Sequence, residues 1–427
     1  MRFMDWVWAE VGRRRSWLFF VVGGVCTGLV SAGFAWLADK AEDIFRGIDS
    51  VSPHLIWLLA PAGFALCAFL VRAVFPNSQG SGVPQCIAAM QTDSDAQRHA
   101  LISLRTAIGK IVLTLAGLCC GASVGREGPS IQVGASLLWA LRGASHKDYR
   151  ALILAGSAAG LAAAFNAPLA GIVFAIEELS RSFEARTMRW VLMATVLAGM
   201  AATALTGDYT YFGQTTGVLQ GWKDWLSLLV IAVVGGVMGA GFSRFVIAMS
   251  LNQALRAWTG IQRAPILFAA GCGLVVALCG TLSGGMSYGA GYHAAYAIIH
   301  NEAQAAWAFV PLKFIATAVS SVSGIPGGLF SPSLSIGAGL GALAAELLPV
   351  SAGSGTQFAL LGMVAYLTGV VQSPITSVLI MMEMTGNNEM ALPLLACALI
   401  ANAVSRFLCP TSVYHALAES FLGKKSP

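Results

Sequence analysis

The chain is poor in charge. Only 11% of its 427 residues are Asp, Glu, Lys or Arg, where a typical soluble domain carries roughly 25%. The basic residues that remain are not interleaved with aromatics on one face, which argues against a nucleic-acid surface. Metal and disulfide frameworks are excluded in the same way. The six histidines are scattered and form no His-Glu-x-x-His pattern. The nine cysteines contain no Cys-x-x-Cys, and most of them (Cys67, Cys119, Cys120, Cys272, Cys279, Cys397) sit inside apolar runs, where they read as small buried hydrophobes. No metal and no cofactor is expected.

What is abundant is apolar sequence. The chain is 56% hydrophobic with a mean hydropathy of +0.72. Apolar stretches recur at residues 17–38, 54–74, 151–176, 188–205, 225–250, 266–282, 358–382 and 391–408, and a spanning helix needs about 20 such residues. These features predict an all-α polytopic membrane protein, one transmembrane domain over residues 1–427. No cleavable signal peptide is expected, since the first apolar run is long and lacks an early small-residue cleavage site. Positive charge gathers at Arg13, Arg14 and Arg15 and again at Lys424 and Lys425. By the positive-inside rule both termini are expected on the cytoplasmic side, with an even number of crossings. The polar stretches 77–98, 180–189, 207–223 and 300–304 read as loops or interfacial segments.

The two halves repeat. Residues 110–135 lie over 313–338 without a gap: Lys110 on Lys313, Thr114 on Thr317, Gly121 on Gly324, Gly125 on Gly328, Pro129 on Pro332, Ser130 on Ser333. After a shift of three, residues 156–177 lie over 362–383, and Pro168 and Glu177 meet Pro374 and Glu383. Repeat one covers about 17–205 and repeat two about 225–410. Internal repeats are a hallmark of secondary transporters, with the substrate site at the repeat interface. Sequence alone does not say whether the repeats are inverted or parallel.

Three glycine-rich breaks interrupt the apolar pattern: Gly80-Ser81-Gly82-Val83-Pro84, Gly125-Arg126-Glu127-Gly128-Pro129 and Gly327-Gly328-Leu329-Phe330-Ser331-Pro332. Each is able to open a helix whose first N–H groups are free, and helix N-termini bind anions without a full cation. Kinks with close helix packing are the plainer reading of any one break. Three breaks, two in register within a repeat, favour an anion site. The second break also carries Glu127. A carboxylate at membrane depth is costly and is a functional-site hypothesis by default; irregular backbone there is tolerated where it lines a watery path. Its repeat mate is Phe330. Gly121-Ala122-Ser123-Val124-Gly125 matches a nucleophile elbow by letter only, with no histidine partner in a strand–turn–helix context. An enzyme is not expected.

The three motifs occur in the order found in the CLC family of chloride channels and chloride/proton exchangers, with Tyr414 following near the C-terminus. The chain resembles that family from about residue 17 to residue 422. The resemblance implies an inverted-topology repeat, some eighteen helices of which several are broken or do not fully span, and a homodimer with one pathway per subunit in the cell's inner (plasma) membrane. It implies that Ser81 and Tyr414 supply hydroxyls to a central chloride and that the N–H groups of Leu329 and Phe330 complete the site. It implies that Glu127 is the gating carboxylate that competes with chloride, and that Glu178 is the internal proton-transfer site. Family members that are passive channels commonly lack an acid at the latter position, so Glu178 favours exchange of chloride for protons over passive chloride conduction. The partners it implies are chloride, protons and the lipid bilayer. Lys110 and Arg126 are candidates for raising the potential of the pathway; Lys110 is alternatively a residue that snorkels to an interface, and Arg126 one that pairs with an acid. Glu177 is expected to end a helix facing cytoplasmic water.

Overall fold

The computed structural model describes residues 2–141, 149–182, 185–207, 210–302 and 307–423. Lys424 and Lys425 lie outside the described residues, as do the side chains of Arg13, Arg14 and Arg15. The chain is helical throughout: α1 (Arg2–Val51), α2 (Ile56–Ala73), α3 (Val83–Gln91), α4 (Asp95–Leu101), α5 (Leu104–Leu118), α6 (Glu127–Ala140), α7 (Tyr149–Phe165), α8 (Pro168–Phe174), α9 (Ala185–Thr206), α10 (Trp222–Leu251), α11 (Gln253–Trp258), α12 (Pro265–Leu282), α13 (Tyr292–Ile299), α14 (Phe309–Val322), α15 (Phe330–Leu347), α16 (Gly355–Val371), α17 (Pro374–Thr385), α18 (Ala391–Leu408) and α19 (Val413–Phe421). Among the described residues, seven stretches are long and apolar enough to cross a membrane, including Asp95–Leu118, in which α4 and α5 run on with a short break. Their outer faces leave large apolar side chains such as Leu58 and Phe407 69% and 86% exposed. An apolar surface of that extent on a soluble monomer would be an association surface, and it accords with a multipass membrane fold.

Three sequence expectations are corrected. The apolar runs 151–176 and 358–382 are not single spans. Each breaks before a proline, α7 giving way to α8 at Pro168 and α16 to α17 at Pro374. Asn166 and Gln372 take left-handed backbone angles (φ 51° and 62°). Proline at the first helical position suits a new start, because the missing N–H would be unpaired there anyway. A hydropathy window averages over such a break. The segment 77–98 is not simply a loop: it contains α3, which is buried along almost its whole length. The span Asp95–Leu118 was hidden by the charges of Asp95, Arg98 and Arg105 at its start. Arg98 donates to Asp95 and to the carbonyls of Thr92 and Ala89, which satisfies its guanidinium at the turn between α3 and α4.

The halves meet through reciprocal contacts. Gly125 N–H donates to Gly328 O at 2.8 Å, and Gly328 N–H donates to Gly125 O at 2.7 Å. Glu383 accepts from the N–H groups of Leu169 and Ala170 at 3.0 and 2.7 Å, at the start of α8. Glu177 accepts from those of Ile375 and Thr376 at 3.2 and 2.8 Å, at the start of α17. Each half thus caps the broken helix of the other, where free N–H groups and the helix dipole favour a carboxylate. Residue i meeting j while j's mate meets i's mate is what a local two-fold relation produces. Helix packing repeats as well. A side chain at Gly134 would strike the Gly156 carbonyl between α6 and α7, and one at Gly337 would strike the Gly362 carbonyl between α15 and α16.

Candidate functional site

The three glycine-rich breaks converge. Gly80 bridges Pro326 and Gly125 bridges Gly328 as short backbone ladders, so the segments opening α3, α6 and α15 are tied to each other. Gly128 has no side chain because Ser81 Oγ and the Gly328 Cα occupy the space it would need. Three helix N-termini therefore face one small volume. Their first N–H groups supply a diffuse positive potential without a cation that would hold an anion too tightly.

Glu127 is the first residue of α6, fully buried, with Arg126 as the N-cap. Its Oε1 accepts from Ser331 Oγ on α15, and its Oε2 has no hydrogen-bond partner. Ser81 and Tyr414 bring two hydroxyls to the same region. Both residues are buried, neither hydroxyl has a partner at ordinary hydrogen-bond distance, and the two stand near enough for a long hydrogen bond to each other. The ring of Tyr414 stacks on Phe330 at 6.2 Å. Phe330 in turn meets Phe165 and Phe174 edge-on at 6.0 and 5.7 Å. The aromatic cluster closes the cage with apolar surface, and two unsatisfied buried hydroxyls are costly unless something accepts from them. Leu329, the N-cap of α15, is buried beside Phe330.

Glu178 lies on a short π-helical continuation of α8, Ala175–Ser180, a form of helix that often marks functional positions. Its carboxylate is buried and accepts from Ser412 Oγ at 2.7 Å and Ser373 Oγ at 3.0 Å. Ser412 precedes α19, on which Tyr414 stands two residues later. The charges of both Glu178 and Glu127 act on Tyr414, which connects the two acids through one ring.

The remaining candidates are held elsewhere. Lys110 does not snorkel: it is fully buried, and its Nζ donates to the carbonyls of Gly80 and Gln79 at 2.9 and 3.2 Å, next to Ser81. Its mate Lys313 donates to the carbonyls of Gly289, Ser287 and Tyr288 at 2.8 to 3.3 Å. A buried ammonium needs hydrogen-bond acceptors, and these carbonyls supply them. Arg126 pairs with Asp39 at 2.5 Å and lies over the Tyr211 ring. Glu177 is half-buried in the helix-ending turn Ala175–Ser180, and it also caps α17. Ser123, the serine of the elbow-like string, bonds Thr317 at 2.9 Å. Sequence reading missed Ser331, Ser373, Ser412 and Asp39. Ser331 was legible inside the third motif. The others were not, because their partners are 195, 234 and 87 residues away.

Two cavities approach the cage. One, about 660 Å³, is lined by Arg72, Arg256, Gln79, Ser81 and Leu329 among others, with no carboxylate among its described lining residues. The other, about 600 Å³, is lined by Asp39, Arg126, Tyr211 and Tyr292. Arg126, next to Glu127, lines the second cavity, and Ser81, which packs against Gly128, lines the first.

Fold and site define a polytopic helical membrane protein with broken helices meeting at a buried, anion-directed centre. The family model for the voltage gated chloride channel matches residues 63–406, and the chain belongs to that family, the CLC family. The H(+)/Cl(-) exchange transporter ClcA of Yersinia pseudotuberculosis serotype IB (strain PB1/+) is 29% identical, over 95% of this chain and 87% of its own. The ClcA of Cronobacter sakazakii (strain ATCC BAA-894) is 31% identical, over 94% and 89%. The crystal structure of a slow cyanobacterial Cl−/H+ antiporter superposes with a TM-score of 0.82 at 26% identity, covering 96% of this chain and 99% of that one. A CLC-type fluoride/proton antiporter shares the fold at a TM-score of 0.79 and 22% identity, over 93% and 96%.

Proposed function

We propose that this protein exchanges chloride for protons across the cell's inner membrane, with both termini cytoplasmic, as a homodimer with one pathway in each subunit. The repeats are assigned to about 17–205 and 225–410. The observation that carries the reading is the position of Glu127: a buried carboxylate at a helix N-terminus, facing the same small volume as the free hydroxyls of Ser81 and Tyr414. Ionised, Glu127 is a tethered anion that occupies the path in competition with chloride. Protonated, it loses its attraction for the helix ends and swings aside. Chloride is then held by Ser81, Tyr414 and the N–H groups of Leu329 and Phe330. Neutral donors suit an ion that must leave again, being roughly half as strong as charge-assisted ones.

The proton takes a separate inner route. Residues 162–176 offer it no titratable side chain, and Glu178 is the next acid with a buried, hydrogen-bonded carboxylate. Lys110 and Arg126 act on the path through charge and by fixing the segments on either side of it. The test is transport in proteoliposomes: an imposed chloride gradient is expected to drive protons uphill in the opposite sense. Chloride movement with no proton movement would replace exchange by passive conduction.

A further inference from the structure

His415, the residue after Tyr414 on α19, sits at the outer edge of the Glu178 site. Its side chain is 17% exposed against 2% for Glu178. Its Nε2 is 2.9 Å from the backbone oxygen of Glu178 and 3.9 Å from the carboxylate Oε1. A carbonyl only accepts, so Nε2 carries the hydrogen in this arrangement and Nδ1 holds the free lone pair. The neighbouring groups cannot do what this ring can. Both oxygens of Glu177 are committed to Ile375 and Thr376. Arg181 does not give up a proton, and a tyrosine ordinarily does so only near pH 10.

We infer that His415 relays protons between the solvent and Glu178. The inference rests on the exchange reading and extends its inner proton route by one group. A proton arriving on Nδ1 makes the imidazolium; the Nε2 proton then passes to Glu178 Oε1 after a shift of about 1 Å, which brings 3.9 Å to hydrogen-bond distance. What remains is a neutral imidazole protonated on Nδ1, which returns to the Nε2–H tautomer by proton exchange with water, one proton leaving Nδ1 as another is taken up on Nε2. No bond between heavy atoms changes and no electron moves. Burial holds the imidazole below its ordinary value, the Glu178 carbonyl pulls the other way and Arg181 adds to the lowering. With Nε2 donating to the Glu178 carbonyl, Nδ1 is the nitrogen left to accept a proton. The charged and titratable groups on elements against α19 are Glu177, Glu178 and Arg181 beside the π-helical turn, Lys223, Asp224 and Arg244 on α10, and Asp95, Arg98 and His99 on α4, whose Gln97 donates to Phe421 O, with Glu419 on α19 itself. Helices α3 and α16 carry no charged side chain.

The experiment measures chloride and proton fluxes in the same proteoliposomes for the unmodified protein, H415Q and H415A. Chloride flux is expected to persist in both variants, while proton flux falls on the order of tenfold or more, the scale of a lost proton-transfer group, and loses its dependence on inner pH through the histidine range. Imidazole added to H415A is expected to restore proton flux, and to fail to do so in the E178Q/H415A double variant. Proton flux at the unmodified level in both variants would overturn the relay and leave the exchange reading standing. So would a parallel loss of both fluxes with no response to imidazole, which is a structural role. Absence of proton flux in the unmodified protein would overturn the exchange reading and the relay with it.

Discussion

The entries to α6 and α15 share one backbone and differ in chemistry. Gly125 and Gly328 exchange a pair of hydrogen bonds, Pro129 and Pro332 hold matched positions in the first turns, and both helices pack on their successors through glycine. Yet α6 opens with Glu127 and α15 with Phe330. A second pair of positions behaves the same way. Glu177 and Glu383 are alike and perform one task, each capping the other half's broken helix, while their neighbours Glu178 and Met384 differ. Lys110 and Lys313 are alike, and each ties down a loop by its carbonyls. Matched residues build the frame; the mismatched ones, Glu127 and Glu178, are where a proton can be taken up.

The largest effect is expected at a mismatched position. Glu127→Gln keeps the shape and removes the titration, so proton transport should vanish while chloride still crosses with little dependence on pH. Paired chloride and pH electrodes on liposomes read both. Retained proton flux there would break the comparison at its strongest point. Next come the matched lysines, which should act alike. Lys110→Met and Lys313→Met each strand buried carbonyls, at about 1–3 kcal/mol, so the two variants should melt at similarly lowered temperatures in detergent. A loss confined to one of them would mean that the frame is not symmetric.

Tyr414 belongs to neither repeat and sharpens the comparison differently. Tyr414→Phe removes one neutral donor, worth about 1 kcal/mol, so chloride binding by calorimetry should weaken roughly fivefold. Unchanged affinity would remove the hydroxyl from the site. The smallest effect is expected for Glu383→Gln, where the amide oxygen still accepts from one of the two N–H groups that the carboxylate holds. It should lower stability by about 0.5–1 kcal/mol and leave the exchange ratio as it was.

The frame was legible in the sequence because it is written twice. Lys110 and Lys313, Pro168 and Pro374, Glu177 and Glu383 stand in one order, and a repeated pattern separates signal from an apolar background. The helix breaks at Asn166 and Gln372 were not legible, since each lies inside a run that is apolar on both sides. The cage was legible where its residues sit in motifs, as with Ser81, Glu127 and Phe330. The support of the acids was not: Ser373 and Ser412 meet Glu178, and Asp39 meets Arg126, only after the chain has folded back from another part of the sequence. For Glu177 the local context, an acid at a helix end, was legible; its second task, holding the free N–H groups of α17, was not.

Glu177 and Glu178 are adjacent carboxylates, one matched in the second repeat and one not. The most direct measurement is therefore the proton-to-chloride ratio of Glu177→Gln and Glu178→Gln, side by side in proteoliposomes under the same chloride gradient. The expected result is a ratio near zero for Glu178→Gln with chloride flux retained, and a ratio close to that of the unmodified protein for Glu177→Gln. Equal ratios in the two variants would contradict the division between a matched frame and mismatched chemistry.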